Sequence, residues 1–140
     1  MTQISKLLYL KTVISDELMT IGQYTTHQFN YPTSMMPTVH YLLDTYRLSL
    51  PHQIKEAKQI LKIRKMVPIF INSHITLFPL KAKRAPLQYY INANAIVGIK
   101  SHNNKSIIYF ENATFIIVDV PYTFVYKKWQ ESITLSHLMQ

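Results

Sequence analysis

The sequence predicts an α+β protein, a mostly antiparallel β-sheet with a basic central helix and a C-terminal helix. Three observations carry that expectation. Short β-rich runs broken by polar turns recur between residues 68 and 120, Ser49 and Pro51 open a stretch of helix formers with lysines along one side, and an unbroken 18-residue stretch (YTFVYKKWQESITLSHLM) follows Pro121.

Taken in order, residues 6–14 read as a strand, because Leu8, Leu10 and the β-branched Val13 and Ile14 suit a half-buried sheet. Ser15, Asp16 and Glu17 make a polar break, and residues 23–29 (QYTTHQF) form a second, weaker strand stopped by Asn30 and Pro32. The tract 30–37 (NYPTSMMP) holds two prolines and reads as a loop, the one candidate boundary in a chain otherwise taken as a single domain over 1–140. Val39, Tyr41 and Leu43 alternate, so the segment from Thr38 is read as a strand over a helix that the same residues also permit. Ser49 then caps a helix with Pro51 in its first turn. At 100° per residue, Lys55, Lys58, Lys62 and Lys65 fall within an arc of about 80°, opposite Ile54, Ala57, Ile60 and Leu61. Pro68 requires that helix to end at or before Val67.

Residues 68–80 (PIFINSHITLFPL) carry two β-rich runs around Asn72 and Ser73, the pattern of a hairpin, and residues 81–86 (KAKRAP) make a basic loop. YYINANAIVGIK leads into a strand, HNNK is a turn, and residues 106–120 hold two strands about Glu111 and Asn112. In the terminal helix Val125, Trp129 and Ile133 recur every fourth residue and are expected to pack on the sheet.

Composition narrows the function classes. The chain has no Cys, which excludes disulfides, thiolate catalysis and cysteine metal sites and suits a reducing compartment. The N-terminus lacks a signal peptide's pattern and no run approaches the ~18 apolar residues of a spanning helix, so a soluble, cytoplasmic protein without membrane contact is expected. The seven carboxylates are scattered, and the six histidines show no HxxxH or HxH spacing, so neither a catalytic site nor a metal site is indicated. Two glycines are too few for a phosphate-cradling loop or a dinucleotide fingerprint, and no cofactor is expected.

Charge is the informative property. Residues 47–84 hold Arg47, Lys55, Lys58, Lys62, Arg64, Lys65, Lys81, Lys83 and Arg84 against the single acid Glu56, nine bases to one acid and a formal +8. The remaining six bases and six acids cancel, so this one segment carries the entire net charge of the chain. A lysine face alone often does no more than keep a helix in water. These lysines, however, have almost no acids at i±4, and a second basic cluster follows them. Such a segment is the electrostatic footprint of a polyanion-binding surface, and all nine bases are candidate nucleic-acid contacts. Lysines would neutralise phosphates, while an arginine such as Arg84, flanked by Lys81 and Lys83, suits a narrow A-tract minor groove.

Residues 42–130 also resemble a known family. Tyr46 with Leu48 to Leu50, Pro68-Ile69, Phe78-Pro79, Tyr90-Ile91, the IIYFEN run from Ile107 to Asn112, and Asp119-Val120 with Tyr122 occur in the order and spacing of the ComK competence transcription factors. Tyr90 stands where that family has a tryptophan, Leu80 where it has a threonine, and Ala113 where it has the glycine of an Asn-Gly turn, which marks a short, diverged member. The resemblance implies an activator that binds A/T-rich double-stranded promoter DNA, largely through the minor groove, as a homo-oligomer. It further implies contact with RNA polymerase and control by a proteolytic adaptor. Two other classes fit the residues. One is a non-enzymatic modulator that pairs with a full-length family member. The other is an RNA- or single-strand-binding module that stacks bases on Tyr89, Tyr90 or Tyr109.

Overall fold

The backbone is organised by a bulged first strand that feeds side chains to two cores. In the computed structural model, which describes residues 5–82 and 85–140, β1 (Leu7–Ile14) pairs antiparallel with β2 (Leu18–Tyr24), and the register slips between Leu7 and Tyr9. The slip lets Leu7 and Leu10 enter one core and the neighbouring Leu8 the other. β3 (Gln28–Tyr31) continues the meander, and α1 (Met35–Thr45) and α2 (Leu50–Leu61) follow. Next come β4 (Ile69–Asn72), β5 (Ile75–Pro79) and β6 (Tyr89–Asn92), a single 3-10 turn at Ala93–Ala95, β7 (Ile96–His102), β8 (Lys105–Phe110), β9 (Phe115–Val118) and α3 (Tyr122–Met139). The strands form a six-stranded sheet in the order β3-β2-β1-β6-β5-β4 and a three-stranded sheet β7-β8-β9, with antiparallel pairs throughout. The α+β expectation holds.

One face of the larger sheet packs Leu7, Leu10, Ile69, Ile71 and Leu77 against Val39, Leu42 and Leu43 of α1 and Leu50 of α2. The other packs Leu8, Phe78 and Ile91 against Ile108 and Phe110 of β8 and Val125 of α3. Trp129 and Ile133 pack against this second core, as their spacing predicts, and Trp129 Nε1 donates to the Ala93 carbonyl at 3.2 Å. Asn92 joins the parts between the cores. It is fully buried, its amide donates to the carbonyls of Leu7 (2.7 Å) and His74 (2.9 Å), and its Oδ1 accepts from the backbone N–H groups of Thr76 (3.0 Å) and Asn94 (3.2 Å). Both ends of that amide are thus satisfied, which is the condition under which a buried Asn specifies a fold rather than weakening it.

Four sequence expectations are corrected. The segment from Thr38 is helix, not strand: Met35, Thr38, Val39, Leu42 and Leu43 are the buried set, a 3.6-residue period, while Tyr41 is exposed. That helix begins inside the expected loop 30–37, because Pro37 sits in its first turn, where a missing N–H costs no helical bond. The expected strand 23–29 is interrupted at Thr25 and Thr26, which form the β2–β3 turn, closed by Tyr24 N–H donating to the His27 carbonyl at 2.8 Å. Lastly, α2 stops at Leu61. Lys62 adopts a left-handed conformation (φ 55°) and its N–H returns to the Lys58 carbonyl, so the four-lysine arc does not extend to Lys65.

Two outcomes follow. Ala113, in the β8–β9 turn, has φ 66°, a conformation a Cβ disfavours. Ala113→Gly is expected to stabilise the protein by about 0.5–1 kcal/mol in urea unfolding, because the relief of αL strain exceeds glycine's extra chain entropy. Burial raises the hydroxyl pKa of Tyr9, Tyr24 and Tyr90 above the ordinary 10.0, helped at Tyr24 by its hydrogen bond to Tyr31 (2.6 Å). The unfolded chain therefore releases protons that the folded one keeps, and stability falls as pH rises past about 10. Thermal melts between pH 8 and 11 should show a declining midpoint; a rise would contradict it.

Candidate nucleic-acid interface

The basic segment is fixed to the fold from below, by polar and small residues that let α2 lie close. Ser49 caps the helix, its side chain accepting from His52 N–H at 3.5 Å, and Pro51 occupies the first turn. On the inner side Ala57 is buried, and the amide of buried Gln53 donates to the Phe70 carbonyl of β4 at 2.6 Å. Ala57, Val67 and Leu135 close a small core between α2 and α3, joined by Ile54, Ile60 and Leu61. Lys55, Lys58, Lys62, Arg64 and Lys65 are left exposed, as is Arg47 at the far end of the α1–α2 turn.

The loop beyond α2 is shaped by a buried cation. Lys128 of α3 is enclosed, and its ammonium donates to the carbonyls of Met66 (2.9 Å) and Lys65 (3.4 Å) while lying 2.9 Å from Glu131. This clamp holds a segment in which both Lys62 and Met66 have positive φ, so the chain doubles back and turns Arg64 toward α2. The result is a groove of about 490 Å³ that collects Lys58 from α2, Arg64 from the loop and Lys81 from beyond β5, together with His40 of α1. Met36, Leu50, Ile54, Met66, Val67 and Tyr90 form its apolar lining.

Lys58, Arg64 and Lys81 come from three separate elements, and among the described residues none of them has an acidic partner. The lone acid of the segment, Glu56, faces His52 at 4.0 Å instead. Lys81 is anchored by donating to the Asp119 backbone carbonyl at 3.1 Å. Of the other candidates, Lys55, Lys62 and Lys65 stand outside this groove, Arg47 is at the opposite end of α2, and Lys83 and Arg84 lie outside the described residues. Tyr90 lines the groove largely buried, with its hydroxyl 3.7 Å from Met36 Sδ, and Tyr89 packs against the second core, so only Tyr109 of the three tyrosines is well exposed. Sequence reasoning missed Lys128, although its three-residue offset from Val125 puts it on the buried side of α3.

Among the described residues no group of three or more His, Asp or Glu could hold a metal ion, and no helix is long and apolar enough to cross a membrane. The groove thus gathers three cations on an α+β scaffold, none of them in an ion pair among the described residues. The chain belongs to the ComK family, matching the family described as ComK protein over residues 8–140. That is a family of competence transcription factors, not of enzymes. No curated protein and no solved structure matches the chain.

The clamp gives a sharp prediction. Lys128→Met leaves Glu131 and the Met66 carbonyl without their partner and should destabilise the fold by about 3–5 kcal/mol. Adding Glu131→Leu should recover a large part of that loss in urea unfolding. Equal and additive losses from the two changes would show that the pair is not coupled.

Proposed function

We propose that the chain is a DNA-binding transcription regulator of the competence-activator type, acting on A/T-rich promoter DNA through its basic segment as one domain. The observation that carries this reading is the convergence of Lys58, Arg64 and Lys81 on one groove, none of them in an ion pair among the described residues. Cations without an acidic side chain paired to them can exchange counterions for phosphates, and that release drives sequence-independent affinity. In this reading Lys55 and Lys62 extend the phosphate track along α2, and Arg47 and Lys65 add contacts from the turns before and after it. Lys81, Lys83 and Arg84 are the minor-groove contacts of this reading, since an A-tract's enhanced negative potential favours an arginine.

Self-association belongs to the same proposal. Val97, Tyr109, Phe115 and Ile117 are exposed on the three-stranded sheet, and Tyr109 and Phe115 are cross-strand neighbours with ring centroids 5.9 Å apart. A second copy, or another family member in the modulator reading, would cover that patch. Cytoplasmic location, contact with RNA polymerase and control by a proteolytic adaptor are proposed from family membership alone. The same exposed aromatic pair is what favours the single-strand-binding alternative, through base stacking.

Titration with an A/T-rich duplex, a G/C-rich duplex and single-stranded RNA at two salt concentrations separates these readings. The proposal expects the A/T-rich duplex to bind tightest, with affinity falling steeply as salt rises. Absence of duplex binding at low salt defeats it, and equal affinity for all three leaves only a generic polyanion site. Replacing Lys58, Arg64 and Lys81 together with alanine should flatten the log–log salt slope by about 0.9 for each phosphate no longer neutralised, for all duplex sequences alike. An unchanged slope would remove the groove from the interface.

A further inference from the structure

A second cavity lies on the other side of α1 and shares no residue with the basic groove. It measures about 460 Å³, within the ~300–1,000 Å³ typical of small-molecule sites. The start of β1, the end of α1 and the β4–β5 turn enclose it, and Leu7, Leu42, Ile71 and Ile75 supply apolar walls with the rings of Tyr24 and Tyr46. Ser5, Asn72 and His74 bring hydrogen-bonding groups to its edge.

Its charges are already spent. Lys6 Nζ donates to the Asn94 carbonyl at 2.9 Å and pairs with Glu111 at 3.2 Å, so the one cation and the one carboxylate of the lining neutralise each other. With that pair made, the lining offers no unpaired counter-ion to a ligand's charged head of either sign, whereas an uncharged ligand needs none. An apolar hollow of this size left to water also forgoes the contacts its lining could make, so an occupant of matching polarity gains what burial of apolar surface provides.

We propose that this cavity is a binding site for an uncharged amphiphilic small molecule, with its apolar body against Leu42, Ile71 and Ile75 and a hydroxyl or amide end toward Asn72 and His74. The site is independent of the DNA reading, since none of its lining residues belongs to the basic segment's cations.

The test uses the full chain and the neutral fluorophore N-phenyl-1-naphthylamine, displaced by decan-1-ol or by decanoate. Expected are saturable binding of one probe per chain, displacement by decan-1-ol, and at least tenfold weaker competition by decanoate. Ile75→Trp, which fills the cavity, should weaken probe binding at least tenfold. Tyr46→Ala, at the exposed C-cap of α1, removes one wall with little risk to folding and should weaken it several-fold, so the test stands even if the tryptophan variant does not fold. Non-saturating fluorescence, equal competition by decanoate, or unchanged affinity in a folded Ile75→Trp or in Tyr46→Ala would overturn the assignment. DNA titrations read out separately from all of these.

Discussion

The buried ammonium of Lys128 is the contact on which the basic surface depends. A charge taken out of water is tolerated only when it is paired and hydrogen-bonded, and Lys128 has Glu131 one helical turn away and two carbonyls from the loop after α2. The loop's own sequence, KIRKM, has no glycine, yet it contains two left-handed residues at Lys62 and Met66. Local preference would not hold it there. A cation from α3, 62 residues downstream of Met66, supplies the missing constraint and so turns Arg64 toward α2. One lysine thus serves as an internal strut, while the lysines around it stay in solvent.

The same division of labour explains why the larger sheet can support two unrelated surfaces. A bulge at the start of β1 puts Leu7 and Leu10, three positions apart, on one face and Leu8 on the other, so that α1 and α2 dock on one side and the three-stranded sheet with α3 on the other. On the helical side α1 divides the surface. Met36 and His40 face the cationic groove, while Leu42 and Tyr46 face the neutral cavity. Helix geometry brings about this separation: His40 and Leu42 lie roughly 160° apart around the axis, and Met36 and Tyr46 are about 15 Å apart along it.

Much of the fold was legible because its signals are local. Asn103 and Asn104 both take positive φ in the β7–β8 turn, as an Asn-rich hairpin requires, and Ser49 with Pro51 marks the start of α2. The failures have non-local causes. Thr25 and Thr26 carry no glycine or asparagine signal, and besides the Tyr24–His27 bond their turn is held by the residue just before β1, with Thr25 N–H donating to the Lys6 carbonyl at 2.9 Å and Lys6 N–H to Thr25 Oγ1 at 3.1 Å. In α1, Val39 and Leu43 fit both a two-residue and a four-residue period, and only the burial of Met35, Thr38 and Leu42 beside an exposed Tyr41 decides for helix. For the candidate site, composition identified every cation but not their convergence. Lys58, Arg64 and Lys81 meet because of the α2 stop and the Lys128 clamp, neither of which any local pattern announces.

In the proposed function nucleic acid meets this molecule on the α2 side. Backbone amide chemical shifts of the isotopically labelled chain, followed during titration with a short A/T-rich duplex, test it most directly. Perturbations should concentrate at Lys55, Lys58, Lys62, Arg64 and Lys81, with β7, β8 and β9 little affected at protein concentrations too low for self-association. Perturbations centred instead on Tyr109 and Phe115, with α2 unmoved, would contradict it.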